Sequence, residues 1–352
     1  MNAGINVVRF LLAFNVVIFH IWNDVAPGAG PVAVLAFFYI SGYLITQISQ
    51  EVYAAPGQTG AFFLNRFLRI YPQYICAVML GLIAIHYFPD SAYDIHTNLS
   101  WPSGAAEWVP QFAIFGLYDS DVRVVPAAWS LSTELYYYLL IGLLTGRSKK
   151  LATALFVVSV PVGALCALKI LPFDFYGHPI GNGFAFAFGG VTYFYRNALT
   201  VGRTLFAVAC AAYGVHSYAL PLLFEDGLDD ANLAGSLVCF CPLFIYLVQN
   251  NISEGRIAAR ANVLGKMAYP LFLTHWAACV FVSNLLFGGH PNRDSPNLPA
   301  AGAYFFCVLL GALAFSGLFY QLIDQPVERI RKNIRLRAKS KARPEKQADT
   351  PA

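Results

Sequence analysis

The sequence predicts an all-α fold: a polytopic membrane helix bundle of about ten transmembrane helices with both termini cytoplasmic. Composition, the recurrence of apolar segments and the placement of basic residues together predict it. Of 352 residues, 57% are hydrophobic and 12% charged, against ~25% charged in a typical soluble domain, and the mean hydropathy is +0.55. Segments long enough to cross ~30 Å of hydrocarbon fall at 6–23, 31–49, 70–88, 129–146, 151–170, 182–196, 203–222, 233–250, 264–287 and 300–323. With both ends inside, 20 of the 23 Lys and Arg gather on the cytoplasmic side, leaving Arg123, Lys169 and Arg293 outside. That asymmetry is what the positive-inside rule requires, and it puts the acidic loop 225–230 outside.

The first segment lacks a basic leader and a small-residue cleavage site, so it reads as a retained helix. It carries Arg9 and, eleven residues later, His20. Ionisable groups in a span are costly unless they face a polar interior. At ~1.5 Å rise per residue the two lie about 16 Å apart along the helix, and at ~100° per residue close to one face. A snorkelling arginine and a hydrogen-bonded interior histidine account for the same pair. The second segment places Ser41-Gly42 in mid-span, where small residues let helices approach closely.

Arg66 and Arg69 stand at the cytoplasmic mouth of the third segment. Three residues apart, they share a helical face suited to phosphate oxygens, although positive-inside flanking also explains them. The polar stretch between Pro89 and Ala128, with Trp101, Trp108, Pro110 and Asp119, is too long for a plain turn. It reads as a lid or acceptor platform, with disorder as the competing reading.

Glu134 lies about one turn inside the extracytoplasmic end of the fourth segment, at a depth like that of His20. A carboxylate beside an imidazole fixes its tautomer and favours its protonated form; a structural, helix-holding Glu is the alternative. In the sixth segment, Gly183, Gly189 and Gly190 dilute the hydrophobicity and mark close packing. A second histidine, His275, sits deep in the ninth segment. Asp324 closes the tenth, where pairing with a basic loop is the default expectation. The seven cysteines lie in or beside apolar runs, and Cys239/Cys241 lacks zinc spacing, so no metal site is assigned. Nothing suggests nucleic-acid reading, and no internal repeat is visible. The chain divides into a membrane domain, 1–334, and a basic tail, 335–352, read as a disordered arm that meets anionic lipid.

Several of these stretches, in their order, resemble the acyltransferase 3 family of membrane acyltransferases that modify bacterial surface polysaccharides, lipopolysaccharide and related acceptors. Arg9 and His20 match its Arg-x10-His. Phe37-Phe38-Tyr39-Ile40-Ser41-Gly42-Tyr43-Leu44-Ile45 resembles its aromatic Ser-Gly stretch. Arg66 to Pro72 matches Arg-x-x-Arg-Ile-Tyr-Pro, and Trp129-Ser130-Leu131-Ser132-Thr133-Glu134 matches Trp-Ser-Leu-x-x-Glu. The run Leu264 to Trp276 and the closing Tyr320 to Pro326 also correspond. Asp324 stands where that motif usually has Glu, and no appended esterase-like domain is present.

The resemblance implies an O-acyltransferase that uses cytoplasmic acyl-CoA, acetyl-CoA in the simplest case, and acylates a hydroxyl of a cell-surface or lipid-linked carbohydrate. It would act in the bacterial cytoplasmic (inner) membrane, alongside polysaccharide-assembly proteins. Arg9, Arg66, Arg69 and Tyr71 would hold the acyl donor, His20 oriented by Glu134 would be catalytic, and Ser130, Trp129 and His275 would line the acceptor site. A transient acyl-histidine and direct transfer both fit. The alternative function is a carrier or flippase for a lipid-linked sugar or proton-coupled solute, with the same ionisable groups lining its path.

Overall fold

A computed structural model describes residues 2–22, 26–224, 229–251, 254–289 and 298–341. Residues 225–228 of the acidic loop, Arg293 and the last eleven residues, 342–352, lie outside that set. The described residues form a helical bundle without strands. Its elements are α1 (Ala3–Ile21), α2 (Ala29–Glu51), α3 (Thr59–Tyr87), α4 (Pro89–Ile95), α5 (Ala105–Ala113), α6 (Trp129–Leu143), α7 (Lys149–Ala167), α8 (Pro179–Tyr195), α9 (Arg203–Gly214), α10 (Leu220–Leu223), α11 (Asp230–Gln249), α12 (Gly255–Phe287), α13 (Leu298–Phe319) and α14 (Gln325–Lys341). All ten predicted segments coincide with helix. Eight are long and apolar enough to cross a membrane among the described residues, whereas α6 and α8 are shorter, at 15 and 17 residues.

Helix starts follow local chemistry. The Asn2 side chain accepts the Ile5 N–H at 3.2 Å and its amide donates to Leu247 O at 2.5 Å, so one residue caps α1 and ties it to α11. Ser148 and Asp229 cap α7 and α11 in the same way, and Pro179 occupies the first turn of α8, where its missing N–H costs nothing.

Packing between spans relies on small residues and interhelical hydrogen bonds, since lipid is as apolar as a leucine side chain. The α2–α8 crossing is a close one. A methyl group at Gly42 would run into the Phe186 carbonyl, and one at Gly189 into the Tyr39 carbonyl. Fully buried Tyr39 donates to Thr192 Oγ1 at 2.9 Å across this seam and packs edge-on against Phe240 and Phe244 of α11. Helix α1 lies along α12, where Gly265 leaves room for Asn6 and Asn6 Nδ2 donates to Asn262 Oδ1 at 2.7 Å.

Three boundaries differ from the sequence expectation. Helix α3 begins at Thr59, so Arg66 and Arg69 sit within the helix and not in its flank. The stretch between α3 and α6 folds into α4, α5 and two short 3₁₀ turns, fixed by Gln111, which accepts from Val124 N at 3.0 Å and donates to Val122 O at 2.8 Å. At the other end, α13 passes through a widened π turn, Tyr320–Asp324, into α14. Pro326 supplies the reason, because it offers no N–H to the preceding turn and its ring crowds the carbonyl four residues back. The basic stretch is therefore helical to Lys341, past the expected boundary at 335.

The α2–α8 crossing sets a test. Gly42→Val or Gly189→Val forces two backbones apart and is expected to destabilise the protein by at least about 1–3 kcal/mol. Gly60→Ala meets nothing within 4 Å and should be neutral or stabilising, by up to about 1 kcal/mol. Thermal unfolding of the three variants in detergent micelles measures the contrast.

Candidate active site

The bundle encloses a cavity of about 440 Å³ whose walls come from α1, α2, α3, α6, α12 and α14, within the ~300–1,000 Å³ range of small-molecule sites. Eight basic side chains line it: Arg9, Arg66, Arg69, Lys266, Arg329, Arg331, Lys332 and Arg335. Only three carboxylates face them: Glu134, Asp324 and Glu328.

Arg69 and Gln73 are one turn apart on α3, so they share a face and converge on one acid. Asp324, turned inward by the π turn, accepts from Gln73 Nε2 at 2.5 Å, and its Oδ1 lies 3.6 Å from Arg69 Nη1. The Arg69 guanidinium also covers the Tyr269 ring at 4.6 Å, a face that attracts cations. Arg66 donates from Nη2 to Asn65 Oδ1 at 3.0 Å and lies 5.7 Å from the Tyr138 ring centroid. Its Nε is buried without a partner. Arg9 makes no hydrogen bond or ion pair among the described residues. A cavity in which cations outnumber anions and a guanidinium N–H goes unmatched suits a polyanionic ligand.

Glu134 is held at one oxygen, Oε1, by Ser41 Oγ at 2.8 Å and by Tyr138 OH, one turn on, at 2.6 Å. His20 has other neighbours. Its ring stacks on His275 at 5.4 Å between centroids, 17° from parallel, and lies 4.5 Å from Trp276. His275 is fully buried, with Nδ1 2.9 Å from Phe272 O and 3.2 Å from Leu271 O. Those carbonyls require the proton on Nδ1, which leaves Nε2 as an acceptor. Both His275 Nε2 and the Trp276 indole N–H are buried without a hydrogen-bond partner among the described residues. An unfilled acceptor and an unfilled donor beside a second imidazole are what a reacting hydroxyl and a developing oxyanion require. Phe272 joins the two regions: it lines the cavity, meets Phe37 at 6.1 Å and meets His275 at 6.4 Å.

The structure thus brings Arg9, Arg66, Arg69, Ser130 and Glu134 to one cavity and sets His20 and His275 together behind its aromatic wall. It does not pair His20 with Glu134: among the described residues no ion pair joins them. Glu134 instead lines the cavity with Arg9, eleven residues before His20 on α1, and accepts from Ser41 of α2, while His20 packs on His275 and Trp276 of α12. Tyr71 does not line the cavity; its hydroxyl donates to Ala113 O at 2.7 Å and its ring stacks on exposed Phe67. Trp129 packs against Phe38 and Tyr176, also off the cavity, whereas Ser130 lines it and donates to Ala127 O at 3.0 Å.

His96 went unmarked in the sequence. It follows α4 and sets its ring 4.7 Å from Trp276, edge to face. Only the length of its loop pointed that way, since a histidine in a polar stretch carries no signal of its own. Asn98 N donates to its Nδ1 at 3.1 Å. Burial, and then the Arg123 guanidinium, push its imidazole down to about 4.

Residues 2–318 match the acyltransferase domain of the acyltransferase 3 family. No curated protein and no solved structure matches the chain.

Two tests follow from the geometry. Asp324→Ala leaves Arg69 buried without its countercharge and is expected to cost about 3–5 kcal/mol in thermal unfolding, while Asp324→Glu, which keeps the charge, retains most of the stability. His96 takes up protons less readily in the folded loop than at the ordinary value of 6.5. Docking of the loop is therefore strongest above that pH and weakens as pH falls from 6.5 towards 4. Hydrogen-exchange protection across residues 89–128 should drop over that window, and His96→Gln should flatten the dependence.

Proposed function

The chain belongs to the acyltransferase 3 family, and from that membership we propose that it moves an acyl group, acetyl in the simplest case, from cytoplasmic acyl-CoA to a hydroxyl of a cell-surface or lipid-linked carbohydrate. The observation that carries this reading is the juxtaposition of a cation-rich cavity with a histidine pair at its aromatic wall. Arg9, Arg66 and Arg69 hold the phosphates of the donor, and the pantetheine arm extends along the cavity towards Phe37 and Phe272. The excess of Lys and Arg on this side favours the cytoplasm as the source of the donor.

His20 then removes the proton from the acceptor hydroxyl as its oxygen attacks the thioester carbonyl. The tetrahedral intermediate carries an oxyanion that the Trp276 N–H is suited to hold. Attack forms the C–O bond of the ester; collapse of the oxyanion restores the carbonyl and breaks the C–S bond, and the departing thiolate takes the proton from the His20 imidazolium. Attack by His20 itself, giving an acyl-imidazole that the acceptor then takes, uses the same groups. His275, with its Nδ1 proton committed to the backbone, presents a basic nitrogen next to His20 and assists the transfer. Glu134 supplies negative charge among the arginines, held by Ser41 and Tyr138, and the ordered segment from α4 to Ala128 forms the acceptor platform. The bacterial cytoplasmic membrane is the setting this chemistry requires, with polysaccharide-assembly proteins delivering the acceptor.

Mass spectrometry of surface glycans from cells with and without the protein tests the reaction, with a difference of one acyl group per modified unit as the expected result. His20→Ala is expected to lower transfer by about 10²–10⁴-fold while folded protein remains in the membrane. Near-normal product from that variant overturns the assignment.

A further inference from the structure

Helix α14 lies beyond the residues that match the family, and its composition alone suggests a solvated basic arm. Its placement differs. Glu328, Arg331, Lys332 and Arg335 recur at helical spacing and all line the cavity, so they present one face inward. Exposed Ile330 lies off that face. The helix is fastened to α3 at one point in both directions: Arg331 Nε donates to Asn65 O at 3.3 Å, and Asn65 Nδ2 donates to Arg331 O at 3.1 Å. Glu328 accepts from Arg331 Nη1 at 2.5 Å and pairs also with Arg335. One acid thus serves two guanidiniums, while exposed Lys332 has no ion pair among the described residues. Next to Asn65, the buried Arg66 Nε has no acceptor among the described residues.

Resting on the acyl-CoA reading above, we propose that α14 is the nucleotide-binding half of the donor site. Arg331, Lys332 and Arg335, with Arg66 on α3, take the 3′-phosphate and pyrophosphate of CoA. The charges match: CoA carries roughly four negative charges at neutral pH, two on the phosphomonoester and one on each phosphate of the bridge. The cavity's eight basic groups exceed its three carboxylates by five. A phospholipid headgroup offers the same phosphate chemistry but a single diester charge, and Arg331, Lys332 and Arg335 line the cavity while exposed Ile330 lies off that face. The site therefore distinguishes CoA from the same molecule without its 3′-phosphate.

The test uses the full-length protein in nanodiscs, titrated with CoA and with dephospho-CoA, in neutral phosphatidylcholine and in phosphatidylglycerol. The expected result is wild-type affinity for CoA about tenfold or more above that for dephospho-CoA, as for loss of a charge-assisted contact. In Lys332→Gln and in Lys332→Gln/Arg335→Gln that preference should collapse to about twofold or less, while thermal unfolding shows folded protein. Lys332 is exposed and makes no hydrogen bond or ion pair among the described residues, so the single variant answers the objection that the double variant misfolds. Wild-type protein that binds no CoA overturns the donor reading itself. Wild-type protein that binds CoA, with the preference intact in both variants, overturns the role of α14 and leaves the donor reading standing. Variants that lose only the response to phosphatidylglycerol assign the helix to lipid phosphate and likewise overturn it.

Discussion

A guanidinium inside an apolar bundle must be given a carboxylate, an aromatic face or a polar space, and the architecture around Arg69 is a response to that demand. Asp324 reaches it only because the last span widens into a π turn before Pro326, and Gln73 and Tyr269 complete the surround. From that pairing the rest follows. The widened turn sets the direction of α14, α14 closes one side of the cavity, and the cavity gives Arg9 and Arg66 somewhere to be charged. The remaining spans contribute by packing closely enough, through Gly42, Gly189 and Gly265, to hold these walls in place.

The polar groups divide into two sets with different chemistry. Around the arginines, charge is plentiful and partly compensated, a setting for holding an anion. Around His20 the described neighbours are rings: Phe19, His275 tied to backbone carbonyls and the Trp276 indole, with His96 packed on the far side of that indole. An imidazole among such neighbours has no countercharge of its own, a setting for passing a proton from one reacting group to the next.

Much of this was legible in the sequence, for identifiable reasons. Arg9 stands out because charge in an apolar run is expensive, and Arg66 with Arg69 because a spacing of three fixes a shared face. The span count followed from length and from the one-sided distribution of Lys and Arg. What failed was the pairing of Glu134 with His20: the segment ends suggested one depth, yet Glu134 shares the cavity with Arg9, and nothing in either segment said that α6 would turn toward Ser41 and α1 toward His275. Tyr71 shared a motif with two cavity residues yet projects to the other side of α3, toward Ala113. His96 and α14 were invisible for the opposite reason, since a loop histidine and a basic amphipathic tail look the same whether they close a site or drift in solvent.

The contact between Phe37 and Phe272 has a kinetic meaning on the proposed chemistry. Thioesters hydrolyse when a basic nitrogen and a water molecule reach them together, and here two phenyl rings lie between the cation-lined chamber and the imidazoles. A cofactor parked among the arginines is thereby insulated from wasteful cleavage until those rings turn aside, so turnover in the absence of a sugar would be slow by construction.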